Sequence, residues 1–142
     1  MVEREAAASW EGSLFEGHGV VSAVTSGLFS EAPVTWASRT EAPGGRTSPE
    51  ELIAAAHAAC FSMALSNELS SRSGPPVRLE VKATSGFADG VITRMVLDVS
   101  ATLAPGVDEA AFREALAAAE GSCPVSNALR GTVAIEVRAS VA

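Results

Sequence analysis

The fold is decided by the segment SPEELIAAAHAACFSMAL, residues 48–65. Ser48 is expected at the N-cap of a helix, Pro49 at its first position and Glu51 at its third, which is the S-x-x-E pattern of a capping box. Nearly every residue from 52 to 65 is apolar or small, so this helix has no polar face. A helix that is apolar all round is buried on all sides. In a chain of 142 residues this predicts a central helix that is wrapped by sheet or shared with a partner subunit.

Shorter elements flank this helix. Residues 8–39 read as short strands punctuated by Gly and Pro, residues 40–47 read as a loop, and SSRSGPP at 70–76 ends the helix. After the helix, the patterns predict a strand at 77–84, a turn at Ala88-Asp89-Gly90, a return strand at 95–103, a helix at about 108–120 with Gly121 as its C-cap, a short helix from Cys123-Pro124 and a final strand at Thr132–Val141. The resulting order, β-β-β-α-β-β-α-α-β, predicts a single α+β domain over residues 1–142.

Composition excludes several classes of partner. The chain has 10 basic and 17 acidic residues, a net charge of −7. Such a surface repels phosphate backbones and anionic lipids, which argues against binding to nucleic acid or to a membrane surface. The N-terminus lacks the pattern of a signal peptide, and the apolar stretch at 52–65 is shorter than the ~20 residues of a membrane span. We therefore expect a soluble, cytoplasmic protein.

The two cysteines are the candidate reactive groups. Taken alone, Cys60 is most simply a small buried side chain in an apolar helix, because free Cys is among the most buried residue types. Cys123 precedes Pro124 and is expected at a helix N-cap, where backbone N–H groups favour a thiolate. If the two thiols meet, one can be oxidised to a sulfenic acid that the other traps as a disulfide. Their separation of 63 residues leaves open whether they meet.

Two motifs give the chain a family resemblance. Residues 47–65, TSPEELIAAAHAACFSMAL, resemble the first cysteine segment of the OsmC/Ohr family, which comprises osmotically inducible protein C and organic hydroperoxide resistance protein. Residues 123–129, CPVSNAL, resemble its second segment. The likeness extends from Trp10-Glu11-Gly12 to the last strand, and His57 favours the OsmC branch. The family fold implied consists of antiparallel sheets wrapped around a central buried helix, in an intertwined homodimer with active sites at the subunit interface.

The resemblance also implies an activity, that of a thiol-dependent peroxidase. It would reduce organic hydroperoxides, with hydrogen peroxide as a candidate second substrate, and would need a dithiol reductant but no metal, haem or flavin. By resemblance, Cys60 is the peroxidatic nucleophile, Cys123 is the resolving thiol, and Arg39 and Glu50 complete the site. A guanidinium near a thiol lowers the pKa of that thiol, and it can stabilise the alkoxide released from the peroxide. Glu50 would orient Arg39 through a bidentate pair.

Helix geometry limits how these residues can assemble. Glu50 precedes Cys60 by ten residues, and ten helical residues rise about 15 Å. Either Arg39 bridges the two, or Glu50 comes from the partner chain, and our hypothesis is the second. Arg46, in the Gly-rich loop, is the main rival of Arg39 as the partner of the thiolate.

Other interpretations of the same residues stay open. His57 lies three residues before Cys60 on the same helix face, where it either tunes the thiol or is a hydrogen-bonded core histidine. Two histidines and two cysteines without close spacing argue against a zinc site. A protein with these cysteines could also be a redox sensor or stress-response binding protein with little turnover, or a structural dimer whose cysteines are inert.

Overall fold

The computed structural model describes residues 1–142. The elements, in chain order, are β1 (Ala6–Glu11), β2 (His18–Ala23), β3 (Ala32–Val34), α1 (Trp36–Thr40), α2 (Pro49–Arg72), β4 (Arg78–Ala88), β5 (Val91–Thr102), α3 (Glu109–Ser122), α4 (Pro124–Leu129) and β6 (Ala134–Val141). This order confirms the α+β class and the predicted succession of elements, with α1 as an addition. The chain divides into two compact units, unit 1 (Met1–Leu52) and unit 2 (Ile53–Ala142). The single domain expected over residues 1–142 stays a prediction.

Unit 1 is built on a three-stranded antiparallel sheet with the strand order β1-β2-β3. Gly19 lets β2 approach β1 closely, because a Cβ at this position would lie 2.5 Å from the carbonyl oxygen of Ser9 and 2.6 Å from the Trp10 ring. Few side chains of this unit are buried. Its buried residues are Gly19, Ser38 and Glu50, whereas its exposed large apolar side chains include Trp10, Leu14, Phe15, Val24 and Leu28.

Unit 2 contains a second three-stranded sheet, with the order β4-β5-β6. β4 and β5 form the predicted hairpin, whose turn residues Asp89 and Gly90 have φ values of 51° and 77°. β6 runs parallel to β5. The expectation of purely antiparallel sheets is therefore wrong at this pair. The chain passes through α3 and α4 between the two strands, and such a crossover returns a strand in the same direction.

Helix α2 buries one stripe of side chains within the chain. His57, Phe61, Leu65 and Leu69 recur at i, i+4 spacing and are 0% exposed. The three apolar members of this stripe join a core cluster with residues of β5, α3 and the loop before α4, namely Leu97, Val99, Ala101, Phe112, Ala115, Leu116, Ala119 and Cys123. The remaining faces of α2 are not fully covered, and Met63 is 67% exposed. Helix α2 is thus not buried on all sides within one chain, which was one of the two predicted options. The other option, that a partner subunit shares this helix, stays a prediction.

The ends of α2 follow from local chemistry. The Ser48 hydroxyl accepts the Glu51 N–H at 3.2 Å, which confirms the N-cap. The second half of the capping box differs, because the Glu51 carboxylate accepts a hydrogen bond from the Thr47 hydroxyl at 2.7 Å. At the C-terminus, the N–H groups of residues 73 and 74 both donate to the Leu69 carbonyl.

Length also distinguishes α2 from the predicted stretch. The helix has 24 residues, and by length and composition alone it is long and apolar enough to cross a membrane, which the shorter stretch at 52–65 was not expected to be. Core helices of soluble proteins have the same composition. Helix α2 resembles such core helices in that it packs one stripe of its side chains into the core of unit 2.

Two boundaries correct the sequence analysis. Trp36–Thr40 forms helix α1, although the pattern predicted strands up to residue 39 and a loop from 40. Gly121 lies inside α3, and the C-cap of this helix is Cys123. Cys123 is also the N-cap of α4, as predicted, with Pro124 as the first helical residue.

Candidate active site

The two cysteines meet in unit 2. Helix α2 carries Cys60, and the junction between α3 and α4 carries Cys123, so the two Sγ atoms lie 3.4 Å apart. Both are free thiols. A disulfide would need the sulfurs to approach by about 1.4 Å, to a bond length of ~2.05 Å. Cys60 is partly exposed, whereas Cys123 is 0% exposed. The arrangement can form a reversible disulfide in which Cys60 is the accessible partner.

Acidity and access differ between the two thiols. Burial raises the pKa of Cys60, and the neighbouring Cys123 raises it further, against a lowering by the Val125 N–H. Burial also acts to raise the pKa of Cys123. There it is outweighed by hydrogen bonds from the Ser126 side chain and N–H, from Cys60 and from the Val125 N–H, so the pKa of Cys123 is lowered. Within one chain, the more accessible thiol is therefore the less acidic one.

His57 is a buried, hydrogen-bonded histidine. Its Nε2 atom lies 2.7 Å from the Ser126 hydroxyl oxygen, and the ring is 0% exposed. Burial lowers the pKa of His57, which favours the neutral ring. Its Nδ1 atom has no hydrogen-bond partner. The Ser126 N–H in turn donates to Cys123. His57, which the sequence analysis considered as a neighbour of Cys60, is therefore linked to Cys123 instead.

Helix α1 positions Arg39 in unit 1. Thr35 and Ser38 form a reciprocal capping box, in which each side chain accepts the other's backbone N–H at 3.0 Å. The Ser38 hydroxyl also donates to the Thr47 carbonyl at 2.9 Å, which ties α1 to the segment before α2. This capping box, Thr-x-x-Ser, was the local signal for α1 that the sequence analysis missed.

Arg39 pairs with Glu50 of the same chain. Its Nε and one terminal nitrogen donate to Glu50 Oε1 at 2.8 and 2.7 Å. The predicted ion pair is present, but both nitrogens donate to one carboxylate oxygen, so its geometry differs from the expected two-oxygen bidentate pair. Glu50 Oε2 is buried without a hydrogen-bond partner. Arg46 lies exposed in its loop. Glu50 therefore pairs with Arg39, and which of the two arginines serves the thiolate stays a prediction.

An apolar cavity adjoins Arg39 in unit 1. It has a volume of about 300 Å³ and is lined by Trp10, Leu14, Val34, Thr35, Trp36, Arg39 and Pro49. The Arg39 guanidinium lies 5.6 Å from the centroid of the Trp36 ring, within cation–π range. Phe15 packs edge-on against the same ring at 5.8 Å. The sequence analysis did not single out Trp36, although it precedes Arg39 by three residues and so shares its helix face.

Candidate metal ligands do not converge. No group of three or more His, Cys, Asp or Glu side chains lies close enough together in residues 1–142 to hold a metal ion.

Ser126 is the other functional candidate that the sequence analysis passed over. Its position three residues after an N-cap, where an N–H meets the capping side chain, was the available signal.

Comparisons with known proteins agree on one family. Residues 42–138 match the family model described as OsmC-like protein. A protein of Escherichia coli (strain K12) named Peroxiredoxin OsmC is 37% identical, over 95% of each chain. The crystal structure of an organic hydroperoxide resistance protein from Elizabethkingia anophelis superposes with a TM-score of 0.73 at 25% identity, covering 100% of this chain and 98% of that one. The organic hydroperoxide resistance protein OhrB of Bacillus subtilis gives a TM-score of 0.65 at 25% identity, covering 96% and 98%.

Proposed function

Because the chain belongs to the OsmC family, we propose that it is a thiol-dependent peroxidase that reduces organic hydroperoxides. The observation that carries this proposal is the pair of free thiols, 3.4 Å apart, of which one is accessible and the other buried. The names of the relatives, a peroxiredoxin and organic hydroperoxide resistance proteins, support the same chemistry.

The electrons of the reaction pass only through the two thiols, the peroxide and a dithiol reductant. The Cys60 thiolate attacks the distal oxygen of the peroxide, the O–O bond breaks, and an alkoxide leaves and takes a proton to become an alcohol. Cys60 is then a sulfenic acid. Cys123 attacks its sulfur, which forms the disulfide and releases water. A dithiol reduces this disulfide by thiol–disulfide exchange and returns both thiols.

The thiolate of Cys60 requires a cation that offsets the effect of burial. Burial raises the pKa of this thiol, and a guanidinium nearby acts in the opposite direction. Arg39, held by Glu50, is our candidate, and it would also stabilise the departing alkoxide. Glu50 lies ten helical residues, or about 15 Å of helix, before Cys60. We therefore assign the Arg39–Glu50 pair of one protomer to Cys60 of its partner.

A homodimer follows from this assignment. Unit 1 leaves large apolar side chains exposed, and α2 leaves Met63 and small residues exposed on the faces outside its buried stripe. Apolar patches of this kind are typical of protein interfaces. A second copy of the chain would cover them and would share α2, as the all-apolar sequence of that helix predicts.

The apolar cavity beside Arg39 supports an organic substrate. Its volume of about 300 Å³ and its two tryptophans suit a hydrocarbon or aromatic tail, while the guanidinium lies where it can bond a peroxide oxygen. Hydrogen peroxide has no tail to fill this space. We expect it to react more slowly. A cytoplasmic location fits both free thiols, because that compartment keeps thiols reduced.

The test is a thiol count and an intact mass, before and after one equivalent of cumene hydroperoxide. The proposal expects both thiols to disappear, with a mass loss of two hydrogen atoms that a dithiol reverses, and repeated peroxide consumption when dithiol is in excess. Cys60→Ser should consume no peroxide, and Cys123→Ser should stop as a sulfenic acid after one equivalent. Two unreacted thiols in the wild-type protein would overturn the proposal.

A redox sensor with little turnover is the second candidate. The raised pKa of Cys60 within one chain favours it, because a protonated thiol attacks peroxide slowly. A sensor would form the disulfide with added peroxide but would consume little peroxide in the presence of dithiol. The steady-state rate with excess dithiol decides between the two.

A further inference from the structure

The pair His57 and Ser126 is a polar contact inside a hydrophobic core. The two residues are 0% and 2% exposed and come from α2 and α4, 69 positions apart in the chain. Burying an imidazole and a hydroxyl is unfavourable compared with burying two apolar side chains of the same size. Replacing both partners of a buried hydrogen bond by apolar groups of the same shape can be neutral or stabilising, so stability alone does not explain this pair.

The hydrogen bonds of this pair lead to Cys123. The Ser126 N–H lies 3.5 Å from the Cys123 sulfur, and the neighbouring Ser126 side chain acts to lower the pKa of this thiol. His57 Nε2 lies 2.7 Å from the hydroxyl oxygen of Ser126. Three side chains from two helices and the junction before α4 therefore form one chain of contacts that ends on a sulfur.

The orphaned Nδ1 atom of His57 fixes the direction of that chain. A buried N–H without an acceptor is rarer and more costly than a buried acceptor without a donor. Because Nδ1 has no partner, the proton of the neutral ring belongs on Nε2, where it donates to the Ser126 oxygen. The Ser126 hydroxyl then keeps its own hydrogen to donate, and Cys123 is the adjacent thiol that can accept it.

We propose that His57 orients the Ser126 hydroxyl to stabilise Cys123 as a thiolate, and that this relay speeds the closure of the Cys60–Cys123 disulfide. The inference rests on the proposed function and assigns roles in its second step. Ser126 is a catalytic residue because it touches the attacking sulfur, and His57 is a positioning residue that acts through Ser126.

The closing step balances without any further reagent. The Cys123 thiolate forms the S–S bond with the oxidised Cys60 sulfur, and the bond from that sulfur to its leaving group breaks. After peroxide, the leaving group is hydroxide, which takes a proton from solvent and becomes water. When the disulfide is reduced, the incoming dithiol attacks Cys60, and the stabilised Cys123 thiolate is the leaving group.

The test uses dithiobis(nitrobenzoate), an aromatic disulfide, so that closure is measured without peroxide. Attack by Cys60 releases one thionitrobenzoate in a phase that depends on reagent concentration. Attack by Cys123 on the resulting mixed disulfide releases a second thionitrobenzoate, in a phase whose rate is independent of reagent concentration. The dimeric full-length protein would be compared with its Ser126→Ala, His57→Leu and His57→Gln variants, with Ser62→Ala as a matched control because the Ser62 hydroxyl bonds to a carbonyl of its own helix.

We expect Ser126→Ala and His57→Leu to slow the second phase about 10- to 100-fold, the range for losing a hydrogen bond to a charged group. The first phase should change less than about twofold, which also shows that each variant is folded, since an unfolded chain would expose Cys60 and accelerate it. His57→Gln keeps an N–H donor for Ser126, so it should close within about threefold of the wild type, as should Ser62→Ala.

Three results would overturn the inference. The first is closure at the wild-type rate in both Ser126→Ala and His57→Leu. The second is a His57→Gln variant as slow as His57→Leu, which would make the ring a base instead of a donor. The third is the release of a single thionitrobenzoate by the wild type. Failure of the proposed peroxidase is a separate result, because it would leave both phases intact and abolish only the reaction with cumene hydroperoxide.

Discussion

The two units of the chain are stabilised in different ways. Unit 2 has a continuous core, in which Phe61, Leu65 and Phe112 are 0% exposed. The buried residues of unit 1 are a glycine, a serine and a glutamate, while Trp10 and Phe15 are 42% and 74% exposed. Unit 2 thus has a hydrophobic core of its own. Unit 1 has a sheet, an ion pair and an exposed apolar surface, which the proposed dimer would cover.

The chemistry divides along the same line. Unit 2 holds both thiols and the His57–Ser126 contact, and unit 1 holds the Arg39–Glu50 pair and the apolar cavity. The comparison teaches that core packing fixes the proposed nucleophile, whereas the groups proposed to activate it and to select its substrate belong to the part of the chain that buries few side chains. In the account proposed above, dimerisation joins the two sets.

The largest expected effect is on stability. Phe112→Ala removes a fully buried ring from unit 2 and should lower the free energy of unfolding by about 3–5 kcal/mol. The matched deletion in unit 1, Phe15→Ala, removes a ring that is 74% exposed within one chain. At protein concentrations low enough to dissociate the proposed dimer it should cost about 1 kcal/mol, the scale of its contact with Trp36. Denaturant unfolding at one fixed protein concentration measures both. Equal losses would mean that unit 1 is covered as deeply as the core of unit 2.

Arg39 carries the second prediction. Arg39→Met should lower kcat/KM for cumene hydroperoxide about 100- to 1,000-fold, because it removes the cation that stabilises the thiolate and the departing alkoxide. Arg46→Met removes an equal charge from the exposed loop of the same unit and should change it less than about threefold. The two rates, measured with excess dithiol, distinguish a specific contact of the Arg39 guanidinium from a general effect of positive charge in unit 1. A larger loss in Arg46→Met would reassign the role to that residue.

Trp36 carries the third prediction, which concerns substrate choice. Trp36→Ala opens the apolar cavity and should raise KM for cumene hydroperoxide about tenfold, or ~1.4 kcal/mol of lost contact. The rate with hydrogen peroxide should hold within about twofold, since that substrate has no tail. Leu28→Ala is the control, because Leu28 is 84% exposed and does not line the cavity. Equal losses with both peroxides would show that the ring serves Arg39 and not the substrate.

The smallest effect concerns pH. Burial lowers the pKa of His57 from its ordinary 6.5. Just below pH 6.5, His57 therefore binds a proton in the unfolded chain but stays neutral in the folded chain. Stability must then fall as the pH falls below 6.5, by up to ~1.4 kcal/mol per pH unit for one group. His57→Gln should remove this part of the slope, measured against the wild-type protein under the same conditions. An unchanged slope in His57→Gln would contradict the burial of a neutral ring.

Much of this organisation could be predicted from the sequence, because it depends on local patterns. The capped start of α2, the Asp-Gly hairpin, the helix that begins at Pro124 and the alternating strands all follow from neighbouring residues. The family resemblance supplied Cys60, Cys123, Arg39 and Glu50 as candidates. The structure then places the first two in contact and pairs the last two.

The remaining features depend on distant residues or on competition between local signals. The parallel pairing of β6 is set by the crossover through α3 and α4, which alternation within the strand does not encode. Helix α1 is five residues long, too short for a hydrophobic period, and only its capping box marks it. The contact between His57 and Ser126 spans 69 positions, and no spacing rule connects them.

The claim that one protomer completes the site of the other is tested most directly by mixing two inactive variants. Cys60→Ser lacks the nucleophile, and Arg39→Met lacks the cation. When equal amounts are refolded together, about half of the dimers should be heterodimers. Each heterodimer has one complete site out of two, so the mixture should regain about a quarter of the wild-type activity. Cys60→Ser mixed with Cys123→Ser is the matched control and should restore none, because both thiols must lie in one chain. Activity in the first mixture no greater than the sum of its two components would contradict the account.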